Sequence, residues 1–374
     1  MKAMKKFTLP FHVVKRSPLP LWKSLLFRVL AVVAALLFCA LLSTVMIGAN
    51  PIKFIATMFQ GAFEDKIKLW MFAKDTCVLL CIALAITPAF KMRFWNIGAE
   101  GQTLISAFAA YAVIYYCRDI VPEWLLLVLM FIAALLIGAI WGGIPAIFKA
   151  IWNTNETLFT LMMNYVASGL AAYFLIVWSQ NGTSVPRFEV GSLPIIGHEN
   201  LLLIILVIIL TIGMYIYQRY TKHGYEISVV GESENTAKYV GINTKKVIIR
   251  TMLISGAICG FAGFLIVGAI DHSVSDTMVG GRGFTAIMVS WLANFNPLIM
   301  IGTSAFITFL KLGAGKISLV FDIHSAFPDI VVGIALFFVI GCEFFINYRL
   351  KKKATKDTAP SLQTEKNNKG GNEK

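Results

Sequence analysis

The sequence predicts an all-α integral membrane protein with about ten transmembrane helices. Of its 374 residues, 57% are hydrophobic and only 14% are charged, whereas about 25% of the residues in a soluble domain are charged. The mean hydropathy is +0.74, and long stretches of the chain contain no charged residue at all. A soluble fold could not cover its surface with so few charges, so most of the chain is expected to lie in a lipid bilayer.

The charge-free stretches, taken in chain order, define the predicted helices. A bilayer core of about 30 Å requires about 20 helical residues, and these stretches lack the alternation of polar and apolar residues that transmembrane strands show. The first stretch is longer than the apolar part of a signal peptide, so we expect it to be retained. The stretches are Val29–Asn50, Thr76–Phe90, Gly101–Cys117, Trp124–Phe148, Thr157–Pro186, Leu201–Gln218, Thr251–Ile270, Gly283–Leu310 and Ile330–Cys342.

The stretch Gly283–Leu310 is expected to form two helices rather than one. The sequence Asn294-Phe-Asn-Pro297 lies near its middle. Proline lacks a backbone donor and disfavours helical geometry in the residue before it, so a turn is expected at this point. This break brings the number of predicted helical segments to ten.

Lysine and arginine are distributed unevenly between the two sides of the predicted membrane domain. With the N-terminus placed inside, 24 of the 33 Lys and Arg residues fall on the inner side. Cytoplasmic loops carry an excess of these residues, so both termini are predicted to be cytoplasmic. The same bias accounts for the net charge of +13 without a nucleic-acid partner. We expect a cytoplasmic tail in residues 1–24, a transmembrane domain in residues 25–348 and a disordered cytoplasmic tail in residues 349–374.

The segment Phe94–Gln102 brings polar residues and glycines close to a predicted span. Asn96, Glu100 and Gln102 are accompanied by two glycines, so the chain can leave the helical conformation there. Irregular backbone at membrane depth persists only where it is packed in protein or lines a cavity. Two interpretations remain open: an inner loop in which the glutamate caps a helix, or a part of the translocation path or its gate.

Two further stretches carry polar residues into the predicted membrane domain. Asn164 lies inside a span, where its side chain must bond to another helix or face water. Thr154 or Asn155 is expected to cap that helix. The glycine-rich stretch Gly280–Ala286 continues towards Asn294, and we expect a broken helix pair there. Because a polar break occurs once in each half, we predict a duplicated transporter fold with a substrate path formed by Asn96, Glu100, Gln102, Asn164 and Asn294.

The chain lacks the sequence patterns of an enzyme or of a metal site. It contains no Walker motif, its six cysteines form no CxxC pair, and its five histidines do not have metal-ligand spacing. No catalytic residue, metal or cofactor is therefore predicted. Any ATP hydrolysis that drives transport is expected on a separate subunit.

Three connecting segments are long enough to contact other proteins. The outer segment Pro51–Asp75 mixes apolar and charged residues, as an interfacial helix does, and a second outer loop covers Ser179–Asn200. The inner segment Gly231–Gly241 contains one or two helical turns between glycines, and so short a surface helix must dock on something. It is either a solvated connector or a coupling helix for a cytoplasmic ATPase, and the candidate coupling residues are Glu232, Asn235, Ala237, Lys238, Tyr239 and Gly241.

Four motifs in order resemble those of the permease subunits of bacterial ABC importers. They are Phe94–Gln102, Asn155–Tyr165, Gly231–Gly241 and Gly281–Pro297, and the resemblance covers about residues 25–348. It is closest to the nucleoside branch of the simple-sugar and branched-chain amino acid permease family. The resemblance implies a ten-helix fold similar to that of the vitamin B12 importer permease, with two halves of inverted topology and short broken helices.

The same resemblance implies a set of partners and a location. The expected partners are two ABC ATPase subunits, a second permease subunit that is identical or paralogous, and an extracytoplasmic substrate-binding protein of the lipoprotein type. The expected location is the bacterial cell membrane, in contact with membrane lipid. A neutral nucleoside with hydroxyl and amide groups suits a path lined by Asn, Gln and Thr.

Three other functions are compatible with parts of the pattern. Import of ribose or another simple sugar would use the same class of transporter. An ion-coupled secondary transporter would need a membrane-embedded acid or base, for which only Glu100 and Glu156 qualify, both near inner ends of spans. A structural membrane scaffold would leave the repeated polar breaks without a role.

Overall fold

The computed structural model of the chain describes residues 11–15, 20–48, 50–179, 184–324 and 326–352. Helices dominate these ranges, with one π-helical turn at Ile266–Asp271. Four short strands are β1 (Phe11–Lys15), β2 (Ser184–Val185), β3 (Val274–Ser275) and β4 (Tyr348–Lys352). The helices are α1 (Leu21–Ile47), α2 (Pro51–Phe63), α3 (Lys66–Lys91), α4 (Ala99–Cys117), α5 (Glu123–Trp152), α6 (Glu156–Trp178), α7 (Leu201–Tyr220), α8 (Lys222–Glu232), α9 (Glu234–Tyr239), α10 (Thr244–Leu265), α11 (Arg282–Leu292), α12 (Pro297–Val320) and α13 (Phe327–Asn347).

All ten predicted segments are helical, which confirms the all-α membrane fold class. In the described part of the chain, seven helices are long and apolar enough to cross a membrane, namely α3, α5, α6, α7, α10 with the π-helical turn, α12 and α13. The other three segments are α1, whose apolar part is Val29–Val45, α4 with 19 residues and α11 with 11 residues. A helix of 11 residues is about 16 Å long, roughly half of the bilayer core, so α11 cannot span it alone.

Several helix boundaries differ from the predicted stretches, and those of α3 and α6 change the assignment of a segment. α3 begins at Lys66, so residues 66–75 belong to it, and the expected interfacial helix is confined to α2. α2 buries Phe54 and Met58 and packs against α12. The stretch Thr157–Pro186 is also not helical throughout, because α6 ends at Trp178.

Contacts divide the chain into two units, the first of which contains residues 1–36 and 337–374. In its described part, β1 pairs with β4 in antiparallel register, with Phe11 opposite Lys352 and Lys15 opposite Tyr348. Residues 349–352, which we expected to belong to the disordered tail, therefore lie in a strand. The remainder of that predicted tail, residues 353–374, lies outside the described residues.

The second unit, residues 37–336, is centred on close contact between α5 and α10. Glycines line this contact, and a Cβ atom at Gly256 would collide with the carbonyl of Gly138, while one at Gly260 would collide with that of Ala134. Small residues allow helix backbones to approach in a bilayer, where van der Waals packing replaces the hydrophobic effect as the driving force. α4 packs against both helices, so the three form the interior of this unit.

α6 is the least buried of the seven candidate spans. Seven of its large apolar or aromatic side chains are exposed: Leu158, Met162, Tyr165, Val166, Tyr173, Ile176 and Val177. At the start of α6, Asn155 Oδ1 accepts a hydrogen bond from Leu158 N at 3.2 Å, which confirms the predicted cap. An exposed apolar face of this extent requires either lipid or another protein as cover.

Candidate functional site at two helix breaks

The first helix break is the non-helical segment between α3 and α4, residues 92–98. Asn96 is completely buried there, and its Oδ1 accepts hydrogen bonds from Gly98 N at 3.0 Å and from Gln102 Nε2 at 3.2 Å. Its own Nδ2 donates to Gln102 Oε1 at 3.4 Å. The two amides thus satisfy each other and one backbone donor of the break, as buried polar groups must.

Asn164 connects the same break to α6. Its Oδ1 accepts a hydrogen bond from Gly101 N at 2.9 Å, and its Nδ2 donates to Ile97 O at 3.0 Å. The expectation of an interhelical bond for this residue is therefore met. Asn96, Gln102 and Asn164 are all buried in this conformation, so substrate could contact them only in a second conformation. Their assignment to the substrate path stays a prediction.

The second helix break lies between the π-helical turn and α11. The chain leaves the π-helical turn at His272, which has a positive φ of 48°, and reaches α11 through Gly280 and Gly281, with φ values of 59° and 72°. Glycine adopts this left-handed conformation at little cost. The first turn of α11 consequently points its backbone N–H groups into the protein interior without an intrahelical partner.

The carboxylate of Glu100 bridges the two breaks. Its Oε1 accepts a hydrogen bond from Gly281 N at 2.8 Å, and its Oε2 accepts one from Gly283 N at 2.7 Å. A negative group at a helix N-terminus is favoured both by these donors and by the helix dipole. A Cβ atom at Gly283 would collide with the backbone of Glu100. Glu100 therefore does cap a helix, but that helix is α11, and the N-cap residue of its own helix α4, Gly98, provides no side-chain cap.

A cavity of about 280 Å³ lies beside this bridge, between α3, α11 and α12. On its wall, Arg282 Nη2 donates to Asp75 Oδ1 at 3.3 Å, and Lys311 Nζ donates to Gly280 O at 3.2 Å. Three threonines also line the cavity: Thr277, Thr285 and Thr308. The volume is just below the range of about 300–1,000 Å³ that is usual for small-molecule sites.

Sequence reasoning missed the charged residues of this cavity. None of Asp75, Arg282 and Lys311 was named as a site residue, whereas each belongs to a helix beside the cavity and Asp75 forms an ion pair with Arg282. One available signal was the position of Arg282 inside the glycine-rich stretch. Another was the attachment of Asp75 directly to a long apolar run, where an acid requires a partner.

Asn294 is separated from the other four predicted path residues. It lies exposed in the turn between α11 and α12 with a φ of 50°, at the opposite end of α11 from Glu100. There it lines a different cavity of about 470 Å³ together with Lys91. The structure therefore brings Asn96, Glu100, Gln102 and Asn164 together but not Asn294.

The predicted coupling segment forms the end of α8, all of α9 and the turn that follows. Ser233 Oγ accepts a hydrogen bond from Thr236 N at 3.2 Å and separates the two helices. Tyr239 is 92% exposed, and the other exposed candidates are Glu232, Asn235, Lys238 and Gly241.

Ala237 does not share this exposure. Its side chain is fully buried in an apolar cluster with Met92, Phe94 and Ile227, because this side of α9 faces the helix end of α3. A direct contact between Ala237 and a partner is therefore excluded in this conformation. Its side chain packs α9 against Met92 and Phe94, which follow α3, and its part in coupling to the ATPase stays a prediction.

Two adjoining cavities of about 590 and 500 Å³ lie near the start of α3, the segment before α7 and the π-helical turn. The ring of Trp70 stacks on that of His198 with centroids 3.9 Å apart, and Nδ1 of His272 is 3.2 Å from Ser192 Oγ. Burial, reinforced by the charge of Arg187, lowers the pKa of His272 below its ordinary value. The two cavities share Arg187, Ile195, Glu199, Ala269 and His272, so they form one groove.

Comparison with known proteins identifies similar chains. The family described as "Branched-chain amino acid transport system / permease component" matches residues 69–340. The guanosine ABC transporter permease protein NupP of Bacillus subtilis is 29% identical over 88% of this chain and 97% of its own. The nucleoside ABC transporter permease protein NupB of Lactococcus lactis is 27% identical over 87% and 94%. The glucose ABC transporter permease protein TsgB13 of Haloferax volcanii is 28% identical over 90% and 92%.

Proposed function

This chain belongs to the family of branched-chain amino acid transport system permease components, and we propose that the solute it carries is a nucleoside. A member of this family is the membrane-spanning subunit of an ABC transporter and not an enzyme, and ATP is hydrolysed on a partner ATPase. This membership also excludes the ion-coupled secondary carrier and the structural scaffold. The chain is a multi-pass membrane protein.

The observation that supports a nucleoside is the similarity to permeases named for guanosine and for nucleosides, which extends over nearly their whole length. The glucose permease matches over a similar share of the chain, so a sugar is the second candidate. Both solutes are neutral and rich in hydroxyl groups. The hydroxyl and amide groups of the two breaks suit either of them, and a permease that receives its solute from a binding protein needs only weak affinity.

The orientation that we propose places both termini, α8 and α9 in the cytoplasm, as the excess of inner Lys and Arg indicates. The partner ATPase then docks on the exposed face of α9, where Tyr239 offers an aromatic anchor. On the outer side, a substrate-binding protein, which we propose to be a lipoprotein, docks over the groove lined by Arg187, Glu199 and His272.

The exposed apolar face of α6 is the proposed contact with a second permease subunit, identical or paralogous. α6 also supplies Asn164, which bonds to the first break. A movement of α6 against a second subunit would therefore pull on the break directly. This connection supports a substrate path that opens when the amides of Asn96, Gln102 and Asn164 exchange partners. Glu100 keeps α11 attached to the break during that exchange.

The proposal is tested by transport in liposomes that contain the permease with its ATPase and binding protein. With ATP in the liposome lumen and in the outer medium, labelled guanosine is expected to accumulate in the lumen. Excess unlabelled adenosine or uridine should compete with its uptake, and excess glucose should not. Accumulation of glucose instead would assign the chain to sugar import. Uptake that persists without ATP, and stops when ion gradients are collapsed, would contradict the ATP-driven mechanism itself.

A further inference from the structure

The cavity of about 470 Å³ on the side assigned to the cytoplasm has no role in the functions described above. It lies where α3 and α7 end, and it is bordered by the first turn of α8 and by the turn between α11 and α12. Its wall includes Lys91, Gln218, Arg219, Tyr225, Ser228 and Phe295. The position is that of the membrane surface, since the apolar parts of α3 and α7 end there.

The charge of this cavity is uniformly positive. Lys91 and Arg219 line it, and its wall contains no aspartate or glutamate. In the part of the chain that the structure describes, neither residue forms an ion pair with a carboxylate. Arg219 instead lies over the ring of Tyr215, 6.0 Å from its centroid. Two unpaired cations in one concave site attract an anion.

A buried donor without a partner points to the same kind of ligand. Gln218 is only 6% exposed and lines the cavity, and its Nε2 is buried without any hydrogen-bond partner. Buried side-chain donors are almost always satisfied, and leaving one unmade costs about 1–3 kcal/mol. The cavity wall therefore offers two cations and no charged acceptor. The amide donor of Gln218 has almost no accessible surface in this conformation, so it would reach a ligand in the cavity after a rotation of its side chain.

We propose that this cavity binds a phosphate group, carried by an anionic phospholipid of the inner leaflet or present as free phosphate. A phosphate oxygen accepts hydrogen bonds from ammonium, guanidinium and amide groups together. The N-termini of α8 and α12 meet at the cavity and add a favourable dipole. Tyr225 and Phe295 provide an apolar rim that suits the glycerol and first methylenes of a lipid, and basic pockets between helices bind such headgroups at the cytoplasmic surface.

Occupation of the cavity would connect the coupling helices to the membrane domain. The ligand would bridge Lys91 at the end of α3 with α8, and α8 leads into α9 after a single residue. A bound phosphate would therefore stiffen the segment on which the ATPase acts. An acidic side chain of the ATPase placed in the cavity would be a different occupant with the same charge.

Binding is tested on the permease–ATPase complex in nanodiscs by native mass spectrometry. One arm compares phosphatidylcholine discs with discs that contain phosphatidylglycerol, and a second arm adds inorganic phosphate to phosphatidylcholine discs. Retention of phosphatidylglycerol is expected, and the double variant Lys91→Gln/Arg219→Gln should weaken it by about tenfold or more. The matched control Lys222→Gln/Lys245→Gln removes two exposed cations of the same face, outside the cavity wall, and should leave retention unchanged.

The variant Gln218→Leu separates binding from folding. It removes the unsatisfied donor, so it should weaken lipid retention while leaving the thermal stability of the lipid-free complex equal or higher. Binding of inorganic phosphate alone would assign the site to the free ion. Equal loss of lipid in the cavity variant and the control variant would overturn the proposal. Absence of both ligands from the wild-type complex would overturn it as well, and this result is expected if a carboxylate of the ATPase fills the cavity.

Discussion

Replacing Glu100 with glutamine should weaken the attachment of α11 to α4 by about 3 kcal/mol. The carboxylate accepts hydrogen bonds from Gly281 N and Gly283 N, and a hydrogen bond to a charged group contributes about 1.5–3 kcal/mol. The amide of glutamine keeps one acceptor oxygen but turns its NH2 group towards the other backbone donor. One charge-assisted bond is therefore lost, the second becomes neutral, and the helix-dipole contribution of about 0.3–1 kcal/mol is lost as well.

The measurement is the thermal unfolding midpoint of the purified permease, together with ATP-driven uptake by the reconstituted transporter. A loss of this size lowers the midpoint by several degrees, since about 2–4 °C corresponds to 1 kcal/mol for proteins of 150–250 residues. Uptake should fall in parallel, because α11 and the first break would no longer move together. Glu100→Asp should behave similarly, since its shorter side chain cannot reach both donors.

Glu123→Gln is the matched control for this prediction. Glu123 also lies in the first turn of a helix, but it is exposed at the start of α5. Its replacement should change the free energy of unfolding by no more than about 0.5 kcal/mol. A Glu100→Gln protein with the midpoint and uptake of the Glu123→Gln protein would refute the argument that the carboxylate holds the two halves together.

Three further predictions concern other parts of the molecule. Gly256→Val should prevent the close approach of α5 and α10 and abolish monodisperse protein in size-exclusion chromatography, whereas Gly169→Val, at a position with open space, should be tolerated. Tyr239→Ala should reduce co-purification of the ATPase without lowering the unfolding midpoint, while Ala237→Asp should lower the midpoint because it buries a charge. Finally, burial lowers the pKa of His272. The folded protein therefore favours the neutral imidazole, and the stability that this form contributes should be lost as the pH falls below about 6.5. His272→Gln should remove this part of the pH dependence of the unfolding midpoint.

The helices could be predicted from the sequence because lipid imposes a simple length requirement. Charge-free stretches of suitable length correspond to all ten helical segments, and Pro297 marks the start of α12 after the predicted turn. The errors lie at helix ends, because a charged residue does not reliably mark where a transmembrane helix begins or ends. α3 contains Asp75 well inside its bounds, where Arg282 pairs with it, and the sequence does not show which cation lies next to this acid.

The polar breaks could be located from the sequence, but their contacts could not. Glycines beside Asn96, Glu100 and Gln102 indicated irregular backbone, and the structure contains it there. The hydrogen bond between Glu100 and Gly281 joins residues 181 positions apart, and the bonds of Asn164 depend on how α6 crosses α4. Periodicity and composition describe one helix at a time, so contacts that depend on how two distant helices pack lie beyond them. The packing of Ala237 against residues that follow α3 is another contact of this kind.

The charges around the cavity between α3, α11 and α12 limit the kind of solute that can pass near it. Two carboxylates, Asp75 and Glu100, are matched by two cations, Arg282 and Lys311, and each is held by an ion pair or by backbone hydrogen bonds. A charged solute would compete with contacts that are already made, and the like charges of these groups would repel it. A neutral solute disturbs none of them and can bond to the three threonine hydroxyls. Charge therefore separates nucleosides and sugars from ionic solutes but not from each other, so discrimination between those two must come from the shape of the opened path or from the binding protein that delivers the solute.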